Sequence, residues 1–221
     1  MHPISIQNLG IIDYREALKL QEEKCKHVIS GDCPQTLILC EHPPVITHGK
    51  GADHTSLLSD SKVLKDNGLE VVKVGRGGDF TYHGPGQLIA YPIIDLRTKK
   101  RDVGWYMRGL EECVIRLLEV YGIPAFRISG RTGVFVDPKP DSSAEFAKIC
   151  SLGVRLSRWC SYHGLALYLT DQSAGFQHLY PCGYTDTTTV SMEQHGASVA
   201  RERLEMEFVK IFCEVFGFFV A

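Results

Sequence analysis

Between residues 75 and 86 the chain places five glycines in twelve positions, inside the run Gly75-Arg76-Gly77-Gly78-Asp79-Phe80-Thr81-Tyr82-His83-Gly84-Pro85-Gly86-Gln87. Glycine weakens the interiors of helices and strands, so no regular element is expected to run through this stretch. The chain should instead cross it as a wide loop. On either side stand short apolar runs, Leu69 to Val74 and Gln87 to Leu96, whose length and β-branched content suit strands. Glycines between strands let backbone approach a ligand closely, and Arg76, Tyr82 and His83 can project polar groups toward it. The run lacks the Gly-Lys-Ser/Thr ending of a phosphate-binding Walker loop. No helical pattern follows it, as a dinucleotide fingerprint would need.

The spacing predicts a helix over Asp13 to Ser30, and a second over 103–121, where Leu110, Cys113, Val114, Leu117, Leu118 and Tyr121 share one face. A third is expected from about Ala197 to Phe219, with the apolar end Phe216 to Ala221 as its last turn. Further strands are expected at Thr36 to Cys40, Val45 to Thr47, Ala125 to Ile128, Thr132 to Val136, Lys148 to Arg155 and Gly164 to Leu169. Arg158-Trp159 supplies a short turn between the last two. Strand runs that do not alternate strictly with helices point to an α+β fold with a mixed sheet. With 221 residues and no linker, the whole chain, 1–221, is expected to form a single domain.

Twenty-four Lys+Arg against 26 Asp+Glu give a formal charge of −2. That balance offers no excess to hold a polyanion by counterion release, so nucleic acid is excluded as the main partner. The eight cysteines, at 25, 33, 40, 113, 150, 160, 182 and 213, are widely spread with no Cys-x-x-Cys pair, and a chain of this length needs no disulfide framework. The N-terminus carries no signal-peptide pattern, and no apolar run approaches the roughly 18–20 residues that span a bilayer. A cytoplasmic location is expected, or an organelle matrix if a presequence has been removed.

Two further segments carry chemistry. In Tyr180-Pro181-Cys182-Gly183-Tyr184 the cysteine lies between Pro and Gly, in a turn where its sulfur can face a cleft. An ordinary thiol is only about 3% thiolate at pH 7, so a working nucleophile needs a cation or base beside it. The second segment, Lys148-Ile149-Cys150-Ser151-Leu152-Gly153-Val154-Arg155, is an apolar strand with a lysine at its start, and Ser161 to Leu167 can pair with it as a hairpin. A Cys/His pair remains open, with His83 or His163 as base. Metal binding through Cys160, His163, His178 and Cys182 is disfavoured, because i and i+3 on a strand face opposite ways. A serine hydrolase is disfavoured too, for want of a Gly-x-Ser-x-Gly elbow.

Taken in order, the run Arg76 to Leu96, then Thr132-Gly-Val-Phe-Val136, Lys148 to Arg155, Ser161 to Leu167 and Pro181-Cys-Gly183, resembles the octanoyltransferases of the lipoate pathway, from about Leu9 to Met192. The resemblance implies a mixed sheet flanked by helices, like the catalytic domain of biotin and lipoate protein ligases. It implies transfer of an octanoyl group from acyl carrier protein to a lysine on lipoyl domains of 2-oxoacid dehydrogenase complexes or the glycine cleavage H protein. Cys182 would form the acyl thioester and Lys148 would lower its pKa. The residues Arg76, Gly77, Gly78, Asp79, Phe80, Thr81, Tyr82 and His83, with Ser151, Leu152, Gly153, Gly164, Leu165 and Ala166, would surround the acyl chain. No cofactor, metal or membrane is implied. Backbone N–H groups near Gly77-Gly78 or Cys182-Gly183 are the expected oxyanion donors. The chain departs from the family in a longer 137–147 segment, in Phe135 where tryptophan is common, and in Tyr168 where asparagine is common.

Two alternatives stand beside this reading: an ATP-dependent lipoate or biotin ligase, and a catalytically silent paralogue that binds an acyl chain or a metal. With so little net charge, docking of acidic partners is expected to use a local basic patch drawn from Arg97, Lys99, Lys100, Arg101, Arg155 and Arg158.

Overall fold

The computed structural model describes residues 2–139 and 142–221, with the backbone alone described for Cys182. The elements in chain order are β1 (His2–Ile11), α1 (Tyr14–Ser30), β2 (Thr36–Glu41), β3 (Val45–His48), α2 (Ser61–Asp66), β4 (Val71–Lys73), β5 (Phe80–His83) and β6 (Gln87–Ile93). They continue with α3 (Val103–Val120), β7 (Val134–Val136), β8 (Phe146–Ser157), β9 (Cys160–Tyr168), α4 (Ser173–Phe176), β10 (Thr187–Thr189), α5 (Arg201–Phe216) and β11 (Phe218–Val220).

Among the described residues, seven strands form a path in the order β10-β8-β9-β6-β2-β1-β11, with β7 also paired to β8, and a second sheet has the order β4-β3-β5. Parallel and antiparallel pairs occur together, as in β1 with β2 and β2 with β6. The middle strands β6 and β9 are buried at every position because both faces of the large sheet are covered. Leu37 and Leu39 of β2, with Leu88 and Ala90 of β6, pack on one face with Leu110 and Leu117 of α3 and Phe208 and Phe212 of α5. Ile38, Cys40, Ile89 and Tyr91 point the other way, toward Ala17, Cys25 and Val28 of α1 and Ile46 and Phe80 of the small sheet. This mixed α+β layering agrees with the fold class expected.

Local signals set several boundaries. The Asp13 carboxylate accepts from the N–H groups of Arg15 and Glu16 and starts α1, while Gly31 at φ 84° ends it. Arg158 and Trp159, at φ 49° and 70°, make the tight β8–β9 turn, whose left-handed twist at both positions suits a two-residue hairpin.

Three expectations are corrected, and one strand was not foreseen. The glycine run is not one loop: Phe80 to His83 form β5, paired antiparallel with β3, so two short loops flank a strand. Residues 125–128 contribute only the isolated Phe126–Phe135 bridge instead of a strand. The C-terminal end is not the last turn of a helix. Gly217 at φ 66° stops α5, and Phe218–Val220 turns back to pair with β1. That strand β1, with Ile4 buried and its neighbours half-exposed, was not anticipated.

Candidate active site

The β8–β9 hairpin, β5 and the loop before it surround a cavity that Tyr14 and Tyr91 also line. Period-two alternation decides which residues of β5 face it: Thr81 and His83 line the cavity, while Phe80 stacks on His48 and Tyr82 packs on Phe176 behind it. Gly153 and Gly164 sit opposite each other in the hairpin register. A β-carbon on Gly164 would lie 2.0 Å from the Ala90 carbonyl oxygen, and one on Gly153 would lie 3.0 Å from Arg76 Cδ and from the Gly77 carbonyl oxygen. Side chains here would fill the space between the strands and the loop.

The loop before β5 is held by Arg76. Its Nη2 donates to the Thr47 carbonyl at 2.8 Å and to Thr47 Oγ1 at 2.7 Å, and its Nη1 donates to the Asp79 carbonyl at 2.8 Å. The Gly77 N–H donates to the Val154 carbonyl at 3.0 Å, fastening the loop to β8. Asp79 then reaches the next segment, accepting from Ser56 Oγ at 2.6 Å, while the Ser56 carbonyl accepts from the Tyr180 N–H at 2.8 Å. Pro181–Gly183 form a single 3₁₀ turn, Gly183 at φ 76°, with Cys182 at its centre.

Lys148 is fully buried near the start of β8, where that strand is paired with both β7 and β10. Its Nζ donates to the Thr132 carbonyl at 3.1 Å and lies 5.2 Å from the Phe135 ring centroid and 5.5 Å from that of Tyr184. The Arg131 guanidinium, bonded to Asp186 at 2.6 and 2.7 Å, covers the other ring contact of Tyr184 at 4.4 Å. The lysine and the cysteine turn are thus brought to one place by Tyr184.

The far wall of the cavity is polar but uncharged. Burial, with repulsion from His42, Arg76 and His163, holds the His83 imidazole well below its ordinary range. Burial with Arg76 and Arg155 nearby brings His163 down to about 3. Burial pushes the Tyr14 hydroxyl up to about 12. His163 occupies a strand position at φ 56° with its N–H donating to Gln21 Oε1 at 2.8 Å. Neutral imidazoles and phenols suit an apolar guest better than ions would.

A family model for the lipoyl protein ligase A/B catalytic domain matches residues 13–213. An octanoyltransferase from Solibacter usitatus is 41% identical over 218 residues, which cover 99% of this chain and 95% of that protein. One from Thermosynechococcus vestitus is 38% identical over 210 residues, covering 95% and 88%. This chain belongs to the octanoyltransferase family.

The family places it among the acyltransferase enzymes of protein lipoylation. Its fold is similar to a bi-partite lipoate protein ligase from Thermoplasma acidophilum, with TM-score 0.74 at 15% identity over 100% of this chain and 86% of that one. Biotin protein ligase from Aquifex aeolicus overlays at TM-score 0.52 and 11% identity, covering 98% and 70%. At such identities the likeness is one of fold.

In this octanoyltransferase, eleven of the fourteen residues expected around an acyl chain line the one cavity: Arg76, Gly78, Asp79, Thr81, His83, Ser151, Leu152, Gly153, Gly164, Leu165 and Ala166. Gly77, Phe80 and Tyr82 stand behind its wall. Sequence reasoning did not place Tyr14 and Tyr91 there, since one opens a helix and the other lies in an apolar strand far along the chain. Two expected oxyanion donors are engaged elsewhere: the Gly77 N–H with Val154, and the Gly183 N–H with the Tyr180 carbonyl at 3.0 Å. Among the described residues no cluster of three His, Cys, Asp or Glu could hold a metal, and no helix is long and apolar enough to cross a membrane.

Proposed function

We propose that this octanoyltransferase works by a ping-pong route in which Cys182 carries the acyl group as a thioester and Lys148 serves both half-reactions. The observation that carries the proposal is the seat of Lys148: a wholly buried lysine whose Nζ lies 5.5 Å from the ring of Tyr184, two residues beyond Cys182. An ammonium there favours the thiolate over the thiol.

In the first half-reaction the Cys182 thiolate attacks the carbonyl carbon of octanoyl-acyl carrier protein. The carrier's C–S bond breaks, and the carrier leaves as a thiolate that takes its proton from the Lys148 ammonium, which leaves Lys148 neutral for the second half-reaction. One thioester replaces another at little free-energy change, so no nucleotide is needed to activate the acid. In the second, the amine of a lysine on a lipoyl domain attacks the Cys182 thioester, sheds one proton as the amide forms, and expels the Cys182 thiolate. Neutral Lys148 accepts that proton. The acceptors are lipoyl domains of 2-oxoacid dehydrogenase complexes and the glycine cleavage H protein, and the reaction takes place in the cytoplasm. The octyl chain lies in the cavity between β5 and the β8–β9 hairpin, against Thr81, His83, Leu152, Gly153, Gly164, Leu165 and Ala166, with Gly77, Phe80 and Tyr82 supporting the wall from behind.

The test is intact-mass analysis after incubation with octanoyl-acyl carrier protein. A gain of about 126 Da that maps to Cys182 and is absent in Cys182→Ala supports the route. An unmodified protein that still transfers octanoate would overturn it. Transfer from free octanoate only with ATP present would instead indicate a ligase.

A further inference from the structure

Glu111 is an acid on the buried side of α3, its side chain wholly out of solvent. One oxygen, Oε2, is met by Arg108 at 2.7 Å and Arg127 at 3.2 Å. Burial nevertheless raises its pKa, with Gly133, Arg108 and Arg127 opposing. The other oxygen, Oε1, accepts the Gly133 N–H at 3.3 Å. That N–H belongs to the same planar peptide unit as the Thr132 carbonyl, which accepts Lys148 Nζ at 3.1 Å.

A trans peptide points its N–H and C=O in opposite directions, so a bond to one fixes the direction of the other. Glu111, the 132–133 peptide and Lys148 therefore form one line of hydrogen bonds, with the Glu111 carboxyl group at one end and the Nζ of Lys148 at the other. Each bond in such a chain polarises the next. The contact is close on both sides: Gly133 is at φ 133°, and a β-carbon on it would lie 3.0 Å from Lys148 Cε and 2.9 Å from the Cys150 carbonyl oxygen. Arg131, one residue earlier, is bound to Asp186 and to Thr187 Oγ1 at 3.0 Å, in the segment that follows Cys182. Three consecutive residues thus hold three things: Arg131 the cysteine segment, Thr132 the lysine, and Gly133 the helix α3.

We propose that Glu111 is a positioning residue for Lys148, acting through the 132–133 peptide plane to aim the lysine at Cys182. The inference rests on the ping-pong reading above.

The experiment uses the full chain and two conservative variants that separate reach from charge. Glu111→Gln keeps an acceptor at the same reach and loses the charge. Glu111→Asp keeps the charge for the two arginines and withdraws the acceptor by one methylene. The readouts are the pH midpoint of iodoacetamide alkylation at Cys182, followed by peptide mass, together with kcat and KM for octanoyl transfer. Glu111→Asp should lower kcat about 10-fold with KM within about twofold, and move the alkylation midpoint upward, as expected for a catalytic group displaced by a fraction of an ångström. Glu111→Gln should stay close to the parent. The reverse order, two variants both indistinguishable from the parent, or equal losses in both that follow the thermal midpoint, would each overturn the proposal. Lys148→Ala separates the two levels of argument. If it leaves the alkylation midpoint unmoved, the Lys148–Cys182 reading fails whatever the Glu111 variants do. If it moves the midpoint and Glu111→Asp does not, only the positioning role fails.

Discussion

Gly183 faces Asp79 so closely that a β-carbon on it would lie 2.6 Å from the carboxylate Oδ2 that holds Ser56. The turn carrying Cys182 is therefore seated on the loop that lines the cavity, and the Gly183 backbone at φ 76° is one an L side chain adopts at a cost of roughly 1–2 kcal/mol. Gly183→Ala should slow formation of the Cys182 octanoyl adduct by at least about 10-fold, because strain and the clash push the same turn away from Asp79. Stopped-time intact-mass measurement checks this, and adduct formation at the parent rate would show that the seating is not needed.

The imidazole cluster sets the acid limit of stability. His163 has a folded pKa of about 3 and His83 also lies well below its ordinary 6.5, so the unfolded chain binds more protons than the folded one once the pH falls below about 6.5. Their contribution to stability is complete above that value and declines as pH drops toward the folded pKa, by at most about 1.4 kcal/mol per pH unit for each imidazole. Thermal midpoints measured from pH 7.5 to 5 should fall, and His163→Gln should flatten that slope. A slope unchanged by the substitution would mean that His163 is not held neutral.

Gly164 and Gly153 look equivalent in the hairpin, yet they should respond differently. A β-carbon on Gly164 meets backbone of β6 at 2.0 Å, whereas one on Gly153 meets Arg76 Cδ and the Gly77 carbonyl oxygen no closer than 3.0 Å, a contact relieved by a shift of a few tenths of an ångström. Gly164→Ala should cost about 3 kcal/mol or more in chemical denaturation, since backbone of the central sheet must shift. Gly153→Ala should leave stability within about 1 kcal/mol and raise KM for the octanoyl donor. Equal destabilisation by both would contradict the difference in their surroundings.

Much of this was legible in the sequence, and the limits have physical causes. The hairpin of Lys148–Arg155 with Ser161–Leu167 was legible because strand patterning is a local property, whereas grouping it with the Arg76 loop at one site came from the resemblance to the octanoyltransferases. Tyr14, Tyr91 and Glu111 could not, because each stands in a regular element whose own pattern gives no reason to single it out, and only packing brings it to the site. Phe80 to His83 were hidden as a strand by the glycines on both sides. The strand Phe218–Val220 was hidden by the helical apolar spacing that precedes it, which Gly217 interrupts.

The Tyr168 hydroxyl meets Ser151 Oγ at 2.5 Å. Both are buried, so Tyr168→Phe should remove about 1 kcal/mol of stability and release the Ser151 hydroxyl toward the cavity. Steady-state kinetics should show a change in KM for the acyl donor with kcat nearly constant. A change confined to kcat would place Tyr168 closer to the chemistry than its position in β9 indicates.

The basic residues expected to dock acidic partners divide into two groups. Arg97 is paired with Asp95 at 2.7 Å, Lys100 with Asp102 at 3.0 Å, and Lys99 donates to the Gly217 carbonyl at 2.8 Å. Arg155 lies against Gly75 beside the cavity loop. Arg155→Glu should therefore raise KM for octanoyl-acyl carrier protein more than Arg97→Glu does, with an effect that shrinks at high salt. Equal effects at both positions would favour diffuse attraction over a local dock.

The bonds from Arg76 to Thr47 and Asp79 fix the loop wall of the cavity, so the octanoyl chain proposed to lie there meets a wall that already stands. An incoming chain then loses little to the ordering of protein around it, and selection among chains depends on how much of a fixed space each one fills. A chain one methylene short forfeits about 0.8 kcal/mol of contact, close to a fourfold loss in affinity. On the proposed reading, chain-length selection would follow from rigidity: loosening the guanidinium's hold on Thr47 should broaden the range of acyl groups accepted before it lowers the rate with the best one.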